Sequence, residues 1–131
     1  MKNRFYCPHC QSVLNPNVKI ILAASFNGMR GLILLSPQPG NYKFIADSTF
    51  AAALRPGAEV TYSCPVCSAD LTSETHDKLV ELTMRSADNR ARRVAFARSH
   101  GVRATFIIDD GTVTPYGEDA EEFETVNFFG V

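Results

Sequence analysis

Two four-residue stretches constrain this chain more than any other feature: Cys7-Pro8-His9-Cys10 and Cys64-Pro65-Val66-Cys67. They contain all four cysteines, and both have the form C-P-x-C. Two residues between cysteines let one tight turn aim both sulfurs at the same point. Proline in the second place presets the φ that such a turn needs, and its missing N–H is not required there. The stretches also match beyond the cysteines. A leucine, Leu14 or Leu71, stands four places after the last cysteine of each. This weak internal repeat predicts two similar knuckles that face each other.

A repeated C-x2-C is the ligand spacing of a four-thiolate structural metal site, most commonly one for zinc. Cys7, Cys10, Cys64 and Cys67 are therefore read as the ligands of one tetrahedral Zn2+. Three other readings compete. Iron held by four thiolates uses C-P-x-C turns in rubredoxin, although rubredoxin knuckles usually place glycine after the second cysteine; here Gln11 and Ser68 stand there. C-P-H-C also resembles the active site of thiol oxidases of the thioredoxin fold, where a helix lowers the first thiol's pKa. That fold needs a strand before the motif and a helix after it. Six residues precede Cys7, Pro16 follows soon after, and a second C-P-x-C is left without a role. The plainest reading is four free or disulfide-bonded cysteines. His9 lies inside the first knuckle, but four thiolates already complete the shell, so it is read as a solvent-facing turn residue. His76 and His100 are read as surface histidines.

Composition sets further bounds. A chain of 131 residues is read as one domain, residues 1–131. A hydrophobic fraction of 45% suffices for a globular core. The net charge of −1 gives no overall pull toward nucleic acid or membrane. The opening Met1-Lys2-Asn3-Arg4-Phe5-Tyr6 has no apolar h-region, so no secretory signal is expected. No apolar run approaches the roughly 18 residues of a spanning helix. Cysteines in metal spacing without an export signal point to a reducing compartment, and cytoplasmic localisation is the expectation.

Most of the chain reads as strand. Residues 18–25 and Gly31–Leu35 are apolar on both faces, as central strands are, with Asn27-Gly28 as a turn signal between them. Tyr42–Ala46 resumes after the break at Pro37-Gln38-Pro39-Gly40. Residues 48–54 are ambiguous, with one helical turn admissible over 50–54. Residues 58–63 alternate cleanly and run into the second knuckle. Leu79–Arg85 and 102–109 alternate as well. Asp110-Gly111 is a hairpin turn leading to Thr112–Thr114. Residues 92–99 fit a strand that puts Val94 and Phe96 inward, or a helix capped by Asp88 or Asn89; the flanking alternation favours the strand. Acidic residues 118–124 suit a short helix, and residues 125–131 form an apolar tail that either docks on the core or meets a partner. The predicted fold is mainly β: a two-knuckle metal site joined to an antiparallel sheet or sandwich, with little helix. Fifty-three residues separate Cys10 from Cys64. The intervening strands must form a sheet of their own, and loop-closure entropy grows too slowly with length to forbid it.

The two knuckles resemble the zinc-ribbon class. The fuller pattern adds Gly31-Leu32-Ile33-Leu34-Leu35-Ser36-Pro37, Gly40-Asn41-Tyr42 and the late Tyr116-Gly117-Glu118, and resembles small bacterial zinc-ribbon proteins. The resemblance implies zinc at Cys7, Cys10, Cys64 and Cys67, and it implies no activity.

Charge is unevenly placed. Six of the nine arginines are Arg85, Arg90, Arg92, Arg93, Arg98 and Arg103, and half of the acids lie between Asp109 and Glu124. The arginines, with Phe128 and Phe129 of the tail, are candidate contacts for an anion or a partner. The competing reading, favoured by the balanced overall charge, folds the acidic segment back on the arginines or leaves both as solvated faces. No Gly-rich phosphate loop, nucleophile elbow or H-E-x-x-H occurs. Asp109 and Asp110 are read as hairpin-turn residues rather than a catalytic pair. A closed four-thiolate zinc has no position for water. The sequence therefore points to a non-enzymatic, zinc-stabilised binding or accessory module with a protein partner. Rubredoxin-like electron transfer and nucleic-acid binding are the alternatives, and membrane association is not expected.

Overall fold

The computed structural model describes residues 3–129. Gly130 and Val131 of the expected tail lie outside the described residues. The chain forms two antiparallel sheets. The first has four strands in the order β4 (Phe44–Ala46), β3 (Met29–Leu35), β2 (Ile20–Phe26), β5 (Thr61–Ser63). The second has five: β1 (Arg4–Tyr6), β6 (Leu79–Arg85), β7 (Ala91–Ala97), β8 (Thr105–Asp109), β9 (Thr112–Tyr116). The mainly β, antiparallel expectation holds.

Local chemistry sets the registers. Asn27 and Gly28 adopt φ of +52° and +81°, the left-handed pair that a two-residue hairpin needs to match strand twist, and Phe26 pairs with Met29 across them. Residues 92–99, where strand and helix competed, are strand through Ala97. β7 pairs with β6 from Leu79↔Ala97 to Arg85↔Ala91 and with β8 on its other side. A helix there would strip both neighbours of their ladder bonds. The ambiguous stretch becomes helix α1 (Ser48–Ala53), with the Asp47 carboxylate accepting from the N–H groups of Thr49 and Phe50. Its Phe50 is 2% exposed and packs over Gly31, where an added Cβ would stand 3.8 Å from the ring. The acidic segment is helical only over a 3-10 turn, Ala120–Phe123.

The main core lies between the sheets. Ile20, Leu22, Ala24 and Ile33 of the four-stranded sheet share one cluster with Leu82, Met84 and Val94 of the five-stranded sheet. Full burial of one such aliphatic side chain contributes about 1.5–3 kcal/mol. The other face of the five-stranded sheet holds a second cluster: Ala95, Phe106 and Ile108 are covered by Phe123 and Phe128. Arg98 ties the sheets together. It donates to the Val60 carbonyl at 3.1 Å and to Thr61 Oγ1 at 2.9 Å. The outer face of the four-stranded sheet is open. There Ala23 pairs with Leu32, and Leu34 with both Ile21 and Ile45. Leu32 and Ile45 are 54% and 55% exposed. β2 and β3 are interior strands, as expected, but their second apolar face is turned to solvent.

Candidate metal centre

Each sheet delivers one pair of cysteines. β1 is an edge of the five-stranded sheet and runs into Cys7 and Cys10. β5 is an edge of the four-stranded sheet and runs into Cys64 and Cys67. The two knuckles are built by the same hydrogen bonds. Cys7 N–H donates to the Ser12 carbonyl and Cys64 N–H to that of Ala69, both at 3.0 Å. Gln11 N–H donates to the Cys7 carbonyl and Ser68 N–H to that of Cys64, both at 2.9 Å. Leu14 N–H then reaches the Phe5 carbonyl and Leu71 N–H that of Tyr62. The repeated leucines are 1% exposed, each locking its knuckle onto its strand. Asn15 reinforces the first: its Oδ1 accepts from Phe5 N–H and its Nδ2 donates to the Asn3 carbonyl.

Backbone amides converge on the inner sulfurs. His9 and Cys10 N–H point at Cys7 Sγ at 3.3 and 3.5 Å, and Val66 and Cys67 N–H at Cys64 Sγ at 3.3 and 3.4 Å. These donors stabilise thiolate charge, which would otherwise be costly at two buried cysteines. Gln11 and Ser68 have φ of +64° and +66°. They occupy the left-handed position that glycine fills most easily. Sequence reading noted the missing glycine as a departure from rubredoxin; the structure shows that the backbone takes the turn regardless.

The four sulfurs lie within 4.8 Å of one another. Cys7 Sγ and Cys67 Sγ are 3.8 Å apart, and Cys10 Sγ and Cys64 Sγ 3.7 Å. A tetrahedron of sulfurs about 2.3 Å from a central metal has edges of about 3.8 Å. The donor set and its spacing therefore fit a single tetrahedral ion, and tetrahedral S4 sets hold zinc or iron alike. All four thiols are free of disulfides. Burial pushes the Cys7 thiol up to about 12, while hydrogen bonding with Ser12 draws Cys10 down to about 6. His9 is exposed and outside the cluster.

No family model, curated protein or solved structure matches this chain. The site's own geometry thus carries the functional reading.

The structure does not gather the arginines on one face. Arg92 is in register with Met84 and Arg93 with Thr83, neighbouring rungs that face opposite sides of the sheet. Arg92 Nε is 3.0 Å from an Asp109 oxygen, its Nη2 is 2.7 Å from Asp88, and Arg90 also pairs with Asp109. Arg93 forms a two-pronged bond to Glu81 at 2.8 and 2.9 Å and donates to the Phe128 carbonyl. Arg85 donates to the Asn89 carbonyl and lies over the Tyr6 ring, and Arg103 Nε stands 4.0 Å from Glu118. The tail divides: Phe128 is 5% exposed against Phe106, and Phe129 is 45% exposed. His76 and His100 are partly exposed and outside the cysteine cluster, each edge-on to a phenylalanine, Phe123 and Phe44 respectively.

One constellation went unread in the sequence. Tyr42 Oη is 2.9 Å from Thr105 Oγ1 and donates to the Tyr116 carbonyl at 3.2 Å. Gly40-Asn41-Tyr42 and Tyr116-Gly117-Glu118, quoted above only as fragments of a pattern, meet here. Among the described residues no helix is long and apolar enough to cross a membrane.

Proposed function

We propose that Cys7, Cys10, Cys64 and Cys67 hold one structural Zn2+ as thiolates, and that the chain is a non-enzymatic, cytoplasmic binding module whose partner is a protein. The observation that carries this reading is the sulfur tetrahedron, with edges of 3.7 and 3.8 Å and one cysteine pair from the edge of each sheet. Four protein ligands close the shell and leave no place for substrate or water, which suits a structural metal. The bound metal supplies positive charge that stabilises the four thiolates and fastens β1 to β5. Amides from both knuckles orient the sulfurs, and Leu14 and Leu71 hold each knuckle against its strand.

Protein contact is supported by the open face carrying the exposed Leu32 and Ile45 beside the half-buried Leu34, since neighbouring exposed apolar residues on a sheet mark association surfaces. The test pairs wild type with a Leu32→Glu, Ile45→Glu double variant in affinity capture from the native cell. A stoichiometric protein partner held by wild type and lost from the folded double variant is expected. Equal capture by both forms, or none by either, overturns the partner reading. Visible absorbance of the purified chain separates the metals, because an iron tetrathiolate is coloured and zinc is not.

A further inference from the structure

The two sheets enclose a cleft of about 300 Å³ between them. Its walls come from both sheets: Ile33 and Leu35 on one side, Val94 and Phe96 on the other. Its mouth lies between the β3–β4 loop, which carries Pro37-Gln38-Pro39-Gly40, and the segment from Ser99 to Arg103. The volume sits at the lower end of small-molecule sites, about 300–1,000 Å³. Its charge is one-sided. Lys43, His100 and Arg103 line the cleft, and no aspartate or glutamate does. The His100 ring is already fixed edge-on against Phe44, with centroids 5.6 Å apart. Tyr42 is fixed by Thr105 and Tyr116, so the rim is built before any ligand arrives.

From this we infer that the cleft binds a small amphipathic carboxylate, with its apolar body between the sheets and its carboxylate among Lys43, His100 and Arg103. An apolar interior alone would accept neutral and charged ligands equally; a basic rim selects the anion, with Lys43 its main charge because Arg103 is shared with Glu118, 4.0 Å away and outside the lining. At about 30 Å³ per liquid water, the cleft holds roughly ten heavy atoms. Octanoate has that size. This site goes beyond the protein-binding reading and does not depend on the open outer face, which lies on the other side of the four-stranded sheet.

The experiment is a titration of the metal-loaded full chain with octanoate, followed by amide and methyl NMR shifts, with octanamide as the neutral control. Saturable shifts at Leu35, Phe44, Val94 and Phe96 are expected, with octanamide about tenfold weaker or more. Lys43→Ala, at an exposed position that spares the fold, should weaken octanoate severalfold and leave octanamide unchanged. Ile45→Ser should leave octanoate binding intact. Shifts confined to Leu32 and Ile45, equal binding of acid and amide, indifference to Lys43→Ala, or no saturable binding each overturn the inference. Loss of octanoate binding in Ile45→Ser does the same, by placing the ligand on the outer face.

Discussion

The Tyr42 hydroxyl stands where a side chain on residue 117 would have to go: a Cβ added to Gly117 would lie 2.5 Å from Tyr42 Oη and 2.2 Å from the Arg103 carbonyl oxygen. Gly117 also has φ of +98°. The backbone passes under the tyrosine, and only glycine clears both obstacles. This contact joins the sheets on the side opposite the cysteine-bearing edges, because Tyr42 precedes β4, the edge across from β5, and Thr105 begins β8, three strands from β1.

Gly117→Ala is expected to destabilise the fold by about 2–4 kcal/mol, from strain plus overpacking. Tyr42→Phe keeps the ring and removes the hydroxyl, so about 1 kcal/mol is expected. Urea denaturation of the two variants checks the order; equal midpoints for Gly117→Ala and wild type would remove the close approach from the account.

Ser68→Gly and Gln11→Gly relieve a left-handed backbone at the knuckles. Each is expected to stabilise by about 0.5–1 kcal/mol, the steric relief exceeding the added freedom of the unfolded chain. Denaturant midpoints of the metal-loaded variants measure this, and a fall in both would mean the side chains matter more than the turn.

The tail gives a contrast within one dipeptide. Phe128→Ala opens a hole beside Phe106 and is expected to cost about 3 kcal/mol, while Phe129→Ala stays within about 0.5 kcal/mol. Calorimetric melting of the pair checks it. Equal losses would show that the exposed ring is packed in solution.

Acid should loosen the β6–β7 turn. Hydrogen bonds from Arg92, then the Arg90 N–H, hold the Asp88 carboxyl down to about 2, below its unfolded value of about 3.9. A depressed folded pKa adds stability that is complete above the unfolded pKa and lost as pH falls through the folded one. Unfolding free energy should therefore decline between about pH 4 and pH 2, and Asp88→Asn should flatten part of that decline. An unchanged slope in the variant would contradict the pairing.

How much of this was legible in the sequence varied with the kind of signal. Leu79–Arg85 was read to its boundaries because strict alternation leaves one face apolar. The knuckle repeat was legible because metal ligands fix local spacing, and the shared hydrogen bonds of Leu14 and Leu71 follow from it. The exposure of Leu32 and Ile45 was not legible: an apolar residue on an uncovered sheet face looks the same in sequence as one in a core. Nor did the run of arginines reveal its division. Adjacent strand residues point to opposite faces, so Arg92 and Arg93 were bound to part once the segment became strand. The Tyr42–Gly117 contact joins residues far apart in the chain, which local pattern does not report.

The central claim is that two sheet edges are fastened by one ion through all four cysteines, and metal analysis with mass spectrometry of the native chain tests it most directly. One zinc per chain is expected, with a mass increment showing thiolate protons displaced, and with metal lost in Cys7→Ser and Cys64→Ser alike. Metal-free protein with four reactive thiols, or with Cys7–Cys67 and Cys10–Cys64 disulfides, would contradict it; one stoichiometric iron with visible colour would keep the fastening and overturn the zinc assignment.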